Sequence, residues 1–529
     1  MLSDDFELLD PNTLATNEVF SDEDRSTLKR LRSVASENLA LLNAELALAD
    51  LSFEDNNTTS VTLEHINRKR RRKLVVLIAA SDVAIAPHKS LPTELLSYIF
   101  ILAFSRFPTY LPPHGRTGTA LVVCQTCSRW RSVALDTPDL WADIIFRYEK
   151  GLDPYQTADL VVEYFARCGP LKPLSLDISQ WSGSQIPANH QEVMQDVLRR
   201  LVVPYASRFR NLKLRLPESE IHSFLTMTHL TFPCLKSIHL ECDYSSTDLK
   251  FRSPASRVLF PANAPLLTEL VVYNFRYNLK VDHTFFPWNQ LTRLSCQHTS
   301  VTIPQIHAIL RRCHNLTVCF LNIDTLISPS DFDISKARIR LLSMQQLFLS
   351  FTMDDGPLVG SFLEPLYIPN IKELSITNTT FGSRSQTQEA LLALLTRSCH
   401  NIEILQISDI SLSKTSVSNI ARILPSLTTL LIGTDTLLPS DTLKGIAAGM
   451  ILPKLRCLAC KVDDLESAIR MLEYRWEASI VSPDAGSDSS GPAFFMLDYI
   501  GQVINHDQAV RVDRLRAMGV EITMTRVQS

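Results

Sequence analysis

Two Cys-x-x-Cys pairs, Cys124–Cys127 and Cys457–Cys460, have the spacing that can place two thiolates on one zinc ion or form a redox dithiol. A structural zinc site needs two more ligands near in the chain, and these pairs lie more than 300 residues apart. Each pair also suits its local element, a helix for the first and a strand for the second. None of the 13 histidines falls in an HExxH pattern, and His283, His298, His307 and His314 read as surface or repeat-helix residues. No GxSxG elbow, Walker loop or GxGxxG turn occurs, and 15 glycines leave little material for a phosphate cradle. With no nucleophile–base pair in view, the sequence gives no reason to expect an enzyme, a metal or a cofactor.

Charge narrows the partners. The chain carries 52 basic and 56 acidic residues, a net charge of −4, which is not the balance of a general nucleic-acid binder. One run stands out: Arg68, Lys69, Arg70, Arg71, Arg72 and Lys73 are consecutive cations. They suit a nuclear import signal or a solvated helical turn, and nothing aromatic around them would read a base. Met1–Asp10 is acidic where a secretory signal would be basic and then apolar. Leu74–Ala80 is far too short to span a bilayer, which takes about 20 residues. The expectation is a soluble protein of cytosol, nucleus or both, without membrane or nucleic-acid partners. Its 11 cysteines are expected to be free thiols, and the sequons at Asn57, Asn315 and Asn378 to be chance.

The positioning elements come in blocks. Residues 1–20 are acidic and polar and read as disordered. Residues 21–86 read as a helical hairpin or short coiled coil. Ser21 is a good N-cap, followed by Asp22, Glu23 and Asp24. Leu28, Leu31, Ala35, Leu39, Leu42 and Leu46 then recur at helical spacing. The polar stretch Phe53–Ser60 breaks the helix, and a second runs from about Val61 to Val83. Residues 87–146 form another helical block, interrupted by a Pro- and Gly-rich loop at Phe107–Thr119.

Residues 147–529 repeat. An apolar residue, two variable positions, an apolar residue, one variable position and an apolar residue recur at Leu235, Leu267, Leu291, Leu316, Met344, Ile371, Ile402, Leu427 and Leu455. Earlier instances start at Leu171 and, less regularly, near Phe209. From Leu235 the steps are 32, 24, 25, 28, 27, 31, 25 and 28 residues, close to the period of leucine-rich repeats. Helical stretches such as Ile303–Cys313, Gln386–Cys399 and Ser416–Leu424 lie between. The fold expected is an α/β solenoid, a curved parallel sheet with outer helices, because no single unit can bury its own apolar face. Ser482–Pro492 reads as a loop, Phe494–Tyr499 as a last strand and Asp507–Met518 as a closing helix.

Three short pieces then occur in order: Leu91-Pro92-Thr93-Glu94-Leu95-Leu96-Ser97-Tyr98-Ile99-Phe100, Val123–Ala134 (VCQTCSRWRSVA), and Thr137-Pro138-Asp139-Leu140-Trp141. LPxELLxxIF, VCxxCxRWRxxA and TPxLW together resemble the F-box of fungal F-box proteins, notably those of mushroom-forming fungi, which often carry leucine-rich repeats. The resemblance is close over about residues 87–146 and architectural elsewhere. It departs in the long insert between Phe104 and Ala120. It implies an all-α module that docks on a Skp adaptor and through it a cullin scaffold. Leu91, Pro92, Leu95, Leu96, Ile99 and Phe100 are then the adaptor contacts, with Trp130 and Trp141 in support. The repeats would bind a protein substrate for an SCF-type ubiquitin ligase; the alternative is a scaffold that delivers none. Substrate contacts are expected at the variable, outward strand positions His239, Glu241, Tyr273, Gln297, Asn322, Ser350, Thr377, Ser408 and Lys461.

Overall fold

The computed structural model describes residues 20–51, 58–86, 91–104, 108–111, 120–148, 153–180, 190–225, 227, 230–242, 264–274, 286–299, 303–324, 338–352, 357–378, 384–398, 401–408, 410, 412–433, 436–481, 494–500 and 504–527. The N-terminal stretch up to residue 19 and the loop expected at Ser482–Pro492 lie outside them. The chain divides into two compact units, Met1–Ile145 with Asp159–Lys172, and Phe146–Ala158 with Pro173–Ser529.

The first unit is mostly helical. Helices α1 (Asp22–Leu51) and α2 (Thr58–Ala84) run antiparallel and bury a shared stripe of Leu28, Ala35, Leu42, Leu74, Leu77, Ala80 and Ala84. The seven-residue steps of 28, 35 and 42 keep that stripe on one face, as a helical period requires. Ser21 caps α1 as expected, its Oγ accepting the Asp24 N–H at 3.1 Å. Helix α2 starts at Thr58, three residues before the expected position.

Next come α3 (Thr93–Phe104), β1 (Thr109–Leu111), α4 (Ala120–Thr126), α5 (Ser128–Leu135), a 3-10 turn at Pro138–Trp141 and strand β2 (Asp143–Tyr148). Pro92 precedes α3, and its carbonyl accepts the first helical bond from Leu96 N–H. It therefore costs the helix nothing. Strand β1 falls inside the stretch expected as loop. The proline and glycine content there masked a three-residue strand. Helix α6 (Pro154–Arg167) contributes its residues from Asp159 onward to this unit.

The second unit is a large parallel sheet with many helices, consistent with an α/β solenoid. Its strands are β3 (Leu174–Gln180), β4 (Phe209–Leu216), β5 (Ser237–Cys242), β6 (Glu269–Tyr273), β7 (Arg293–Thr299), β8 (Val318–Asp324), β10 (Gln346–Thr352), β12 (Glu373–Asn378), β13 (Ile404–Ser408), β14 (Thr429–Ile432), β16 (Cys457–Val462), β17 (Phe494–Ile500) and β18 (Glu521–Val527). They stand side by side in that order, and β15 (Leu437–Leu438) adds beside β16. Two-residue strands β9 (Ile339–Arg340) and β11 (Leu366–Tyr367) pair separately.

The register explains the sequence repeat. Leu212, Ile238, Leu270, Leu294, Cys319, Leu347, Leu374, Leu405, Leu430 and Leu458 sit opposite one another strand by strand, and all are buried. A parallel neighbour needs a long crossover, so sequential order forces one strand and one connection per repeat. Amphipathic helices such as Ile303–Leu310 and Lys414–Ile423 fill those crossovers, burying Ile306 and Ile309, or Val417 and Ile420. The expected last strand is present and lengthens to Ile500, and the closing helix is His506–Ala517. Beyond it β18 adds a further strand that the polar alternation of EITMTRV concealed.

Candidate functional site

The three quoted motif pieces of the first unit pack against one another. Phe100 of α3 meets Trp130 of α5, ring centroids 5.1 Å apart. Trp141 is fully buried, donates Nε1–H to the Ala134 carbonyl at 2.8 Å, and meets Tyr164 edge-on at 4.9 Å. The Arg167 guanidinium lies 4.9 Å from the Trp141 ring, a cation–π contact. Thr137 gives its hydroxyl proton to the Val133 carbonyl at 2.6 Å, so Ser97, 2.8 Å away, must donate to Thr137. Arg129 reaches the Leu91 carbonyl, and Arg131 Nε donates to the Cys124 carbonyl at 2.7 Å. These bonds hold the Leu-Pro entry of α3 against the tryptophan helix.

The Cys124–Cys127 pair is absorbed by this packing. Cys127 sulfur caps α5 by accepting the Trp130 N–H at 3.4 Å, and burial pushes the Cys124 thiol up. Among the described residues, no group of three or more His, Cys, Asp or Glu is arranged to hold a metal ion.

Helix α3 separates its apolar residues into two faces. Leu96 and Phe100 are 1% and 2% exposed and belong to the module's own core. Leu96 and Phe100, expected as adaptor contacts, thus point inward, and Trp141, expected in support, is buried. Trp130 is partly exposed. Leu95, Ile99 and Leu102 are 49%, 45% and 57% exposed, and Tyr98 is 58% exposed. Pro92 is exposed and Leu91 half-buried at the entry of the same helix. Positions 95, 98, 99 and 102 share one face at helical spacing. Tyr98 was not singled out from the sequence, although its i+3 offset from Leu95 was the available signal. An apolar stripe left in water on a small module marks a surface for a partner.

In the second unit, the nine outward strand positions are all partly exposed. They fall on the sheet face opposite the leucine ladder. Glu241, Tyr273 and Gln297 are direct neighbours across β5, β6 and β7. Asn322, Ser350, Thr377 and Ser408 are neighbours across β8, β10, β12 and β13. Between the two groups the register slips after Cys296, where His298 adopts φ of +51°. That left-handed residue makes the irregularity and divides the row. Lys461 stands apart, beside Asp498 of β17. His239 belongs to the next row along the strand.

On this same face, charged side chains from several rows pair between neighbouring strands. Lys213 lies 3.3 Å from Asp177, and Arg215 lies 2.8 Å from Glu241. Arg293 Nε is 3.2 Å from Glu269, and His239 is 3.8 Å from the same oxygen. The imidazole beside Glu269 holds its carboxyl below the usual carboxylate range. Phe320 and Phe348 then stack face to face at 4.3 Å, with the Arg293 guanidinium 5.5 Å from the Phe320 ring. Both phenylalanines occupy the fifth position of their repeat, one residue before a buried leucine, and that shared position was the signal for them. The face thus carries paired charges on β3 to β7 and an aromatic pair on β8 and β10.

No helix among the described residues is long and apolar enough to cross a membrane. No curated protein matches the chain. A family model described as F-box-like matches residues 88–147, the span that contains the Leu-Pro entry, the tryptophan helix and the Pro138–Trp141 turn. Residues 88–147 form an F-box-like domain.

Proposed function

We infer that the chain is the substrate-recognition subunit of an SCF-type ubiquitin ligase. Its F-box-like domain docks on a Skp adaptor, and a cullin joins through that adaptor. The observation that carries the reading is the solvent-facing stripe of Leu95, Tyr98, Ile99 and Leu102, beginning at Leu91-Pro92, on a domain matched by the F-box-like family model. Covering roughly half-exposed leucines and isoleucines contributes about 1 kcal/mol each, enough for a specific contact when several act together.

In this reading the second unit is a leucine-rich repeat array, and the chain belongs with the fungal F-box and leucine-rich-repeat proteins it resembles. The open strand face would hold a protein substrate on His239, Glu241, Tyr273 and Gln297 at one end and on Asn322, Ser350, Thr377 and Ser408 further along. Phe320 and Phe348 supply its apolar centre. No catalysis is asked of this chain: holding a substrate near a charged conjugating enzyme raises the effective concentration of the reacting groups. Such work belongs to cytosol or nucleus, and the exposed cations Arg68–Lys73 suit nuclear import.

The test is reconstitution. The purified chain, mixed with Skp adaptor and cullin, should retain both on a column, and the double variant Leu91→Ala/Pro92→Ala should retain neither. Recovery of the adaptor without cullin would favour a scaffold, and recovery of nothing would remove the assignment.

A further inference from the structure

The α1–α2 hairpin carries more apolar surface than its own packing uses. On α1, Val34, Leu41 and Leu48 repeat at seven-residue steps and are exposed, Leu41 and Leu48 by 64% and 67%. On α2, Val76 and Val83 are seven apart and likewise exposed. Each of these residues immediately precedes a core residue or its heptad equivalent: Val34 before Ala35, Leu41 before Leu42, Val76 before Leu77, Val83 before Ala84. One residue is about 100° of helix rotation. The same rotation applied in the frame of each of two antiparallel helices leads to the same side of the pair. The two exposed stripes therefore form one continuous apolar face on one side of the hairpin.

Charge selects what covers that face. Arg32 pairs with Asp82, and Arg71 Nε donates to Asn43 Oδ1 at 2.8 Å, an eleven-residue step on each helix in opposite directions. These contacts put Glu45 level with Lys69, which stands seven residues before Val76 on the exposed stripe. From Ser33 onward α1 holds Glu37, Glu45 and Asp50 and no Lys or Arg. Its earlier part has Asp22, Glu23 and Asp24 in the first turn and then Arg25, Lys29, Arg30 and Arg32. The cations Arg68–Lys73 on α2 are all exposed. A second hairpin laid with its α2 antiparallel on α1 brings six cations to the acidic half. Turned the other way, with Val76 beside Val34, the cations lie beside Lys29 and Arg30. Laid α2 on α2, with the α1 stripes in register, the two cation runs meet each other.

We propose that this face is a homodimer interface: two copies of the chain associate through their hairpins in a four-helix bundle, α1 of each copy antiparallel to α2 of the other. The apolar core of the bundle is Val34, Leu41, Leu48, Val76 and Val83 from both copies, and Glu45 faces Lys69 across the two-fold axis. Heptad-spaced apolar stripes flanked by opposite charges are how helices choose partner and orientation. The dimer carries two F-box-like domains and two copies of the parallel sheet.

Sedimentation equilibrium of the full chain tests it. The wild type should sediment at twice 59.6 kDa and dissociate on dilution. Leu41→Glu/Leu48→Glu changes exposed positions only, so its circular dichroism should match wild type while its mass falls to a monomer. Glu45→Lys and Lys69→Glu should each weaken the dimer, and a one-to-one mixture of the two variants should recover it as a heterodimer. A wild type that stays monomeric at every concentration overturns the proposal. So does a dimer that survives Leu41→Glu/Leu48→Glu, and so does failure of the mixed charge variants to pair.

Discussion

Replacing His307 by leucine should flatten the acid limb of the protein's stability curve. His307 is 1% exposed in the helix Ile303–Leu310, with Nε2 3.2 Å from the Phe362 carbonyl and its ring stacked on Phe362 at 5.3 Å. That contact fixes the neutral tautomer with the proton on Nε2, donating to the carbonyl. Burial pulls the imidazole pKa from 6.5 down to about 4; the Phe362 carbonyl opposes the shift and Arg311 adds to it. The folded state thus binds the proton more weakly than the unfolded chain, so stability is full above pH 6.5 and falls as pH drops toward 4. At 1.36 kcal/mol per pH unit, the complete loss is about 3 kcal/mol. Leucine keeps apolar volume against Phe362 and loses one hydrogen bond worth about 1 kcal/mol. Paired urea titrations of wild type and His307→Leu, followed from above pH 6.5 to near pH 4, read the difference. The variant should begin slightly less stable and become the more stable of the two at the acid end. Curves that fall in parallel would refute the reasoning.

Three other outcomes follow from the packing. Phe100→Ala should destabilise the F-box-like domain by about 3–5 kcal/mol, because it empties a sealed site against Trp130, and Leu95→Ala should leave its melting temperature nearly unchanged. Trp141→Phe keeps the ring and removes the Nε1–H bond to the Ala134 carbonyl, which still accepts the Thr137 N–H at 3.2 Å, so the cost in chemical denaturation should be about 1 kcal/mol. Gly445→Ala places a methyl 2.5 Å from Ile451 Cδ1, the end of a half-buried side chain that can turn away, and alanine favours the helix by about 1 kcal/mol, so the melting temperature should change little.

Much of this architecture is readable from residue order alone, and the gaps have physical causes. The strand positions are legible because one apolar ladder repeats in every unit and parallel pairing makes its members exact neighbours in space. The helical block with its Leu-Pro entry is legible because three short pieces keep their order. What sequence does not separate is Leu95 from Leu96. Both are leucines on an apolar helix, and which one faces water depends on where α5 packs, a tertiary fact. The same holds for Phe320 and Phe348, which read as repeat filler until the register stacks them. The divided row at His298 is invisible beforehand, since a left-handed histidine leaves no mark in a pattern of apolar spacing. On α1, the second stripe of Val34, Leu41 and Leu48 hides beside the first because a helix rich in leucine satisfies several faces at once.

The most direct test of the central claim is calorimetry of the purified chain with a Skp adaptor, comparing wild type with Leu95→Asp/Ile99→Asp/Leu102→Asp. All three positions are exposed, so the variant should unfold at the wild-type temperature while its adaptor binding disappears. Wild-type binding that the variant retains in full, or a wild type that binds no adaptor, would contradict the account.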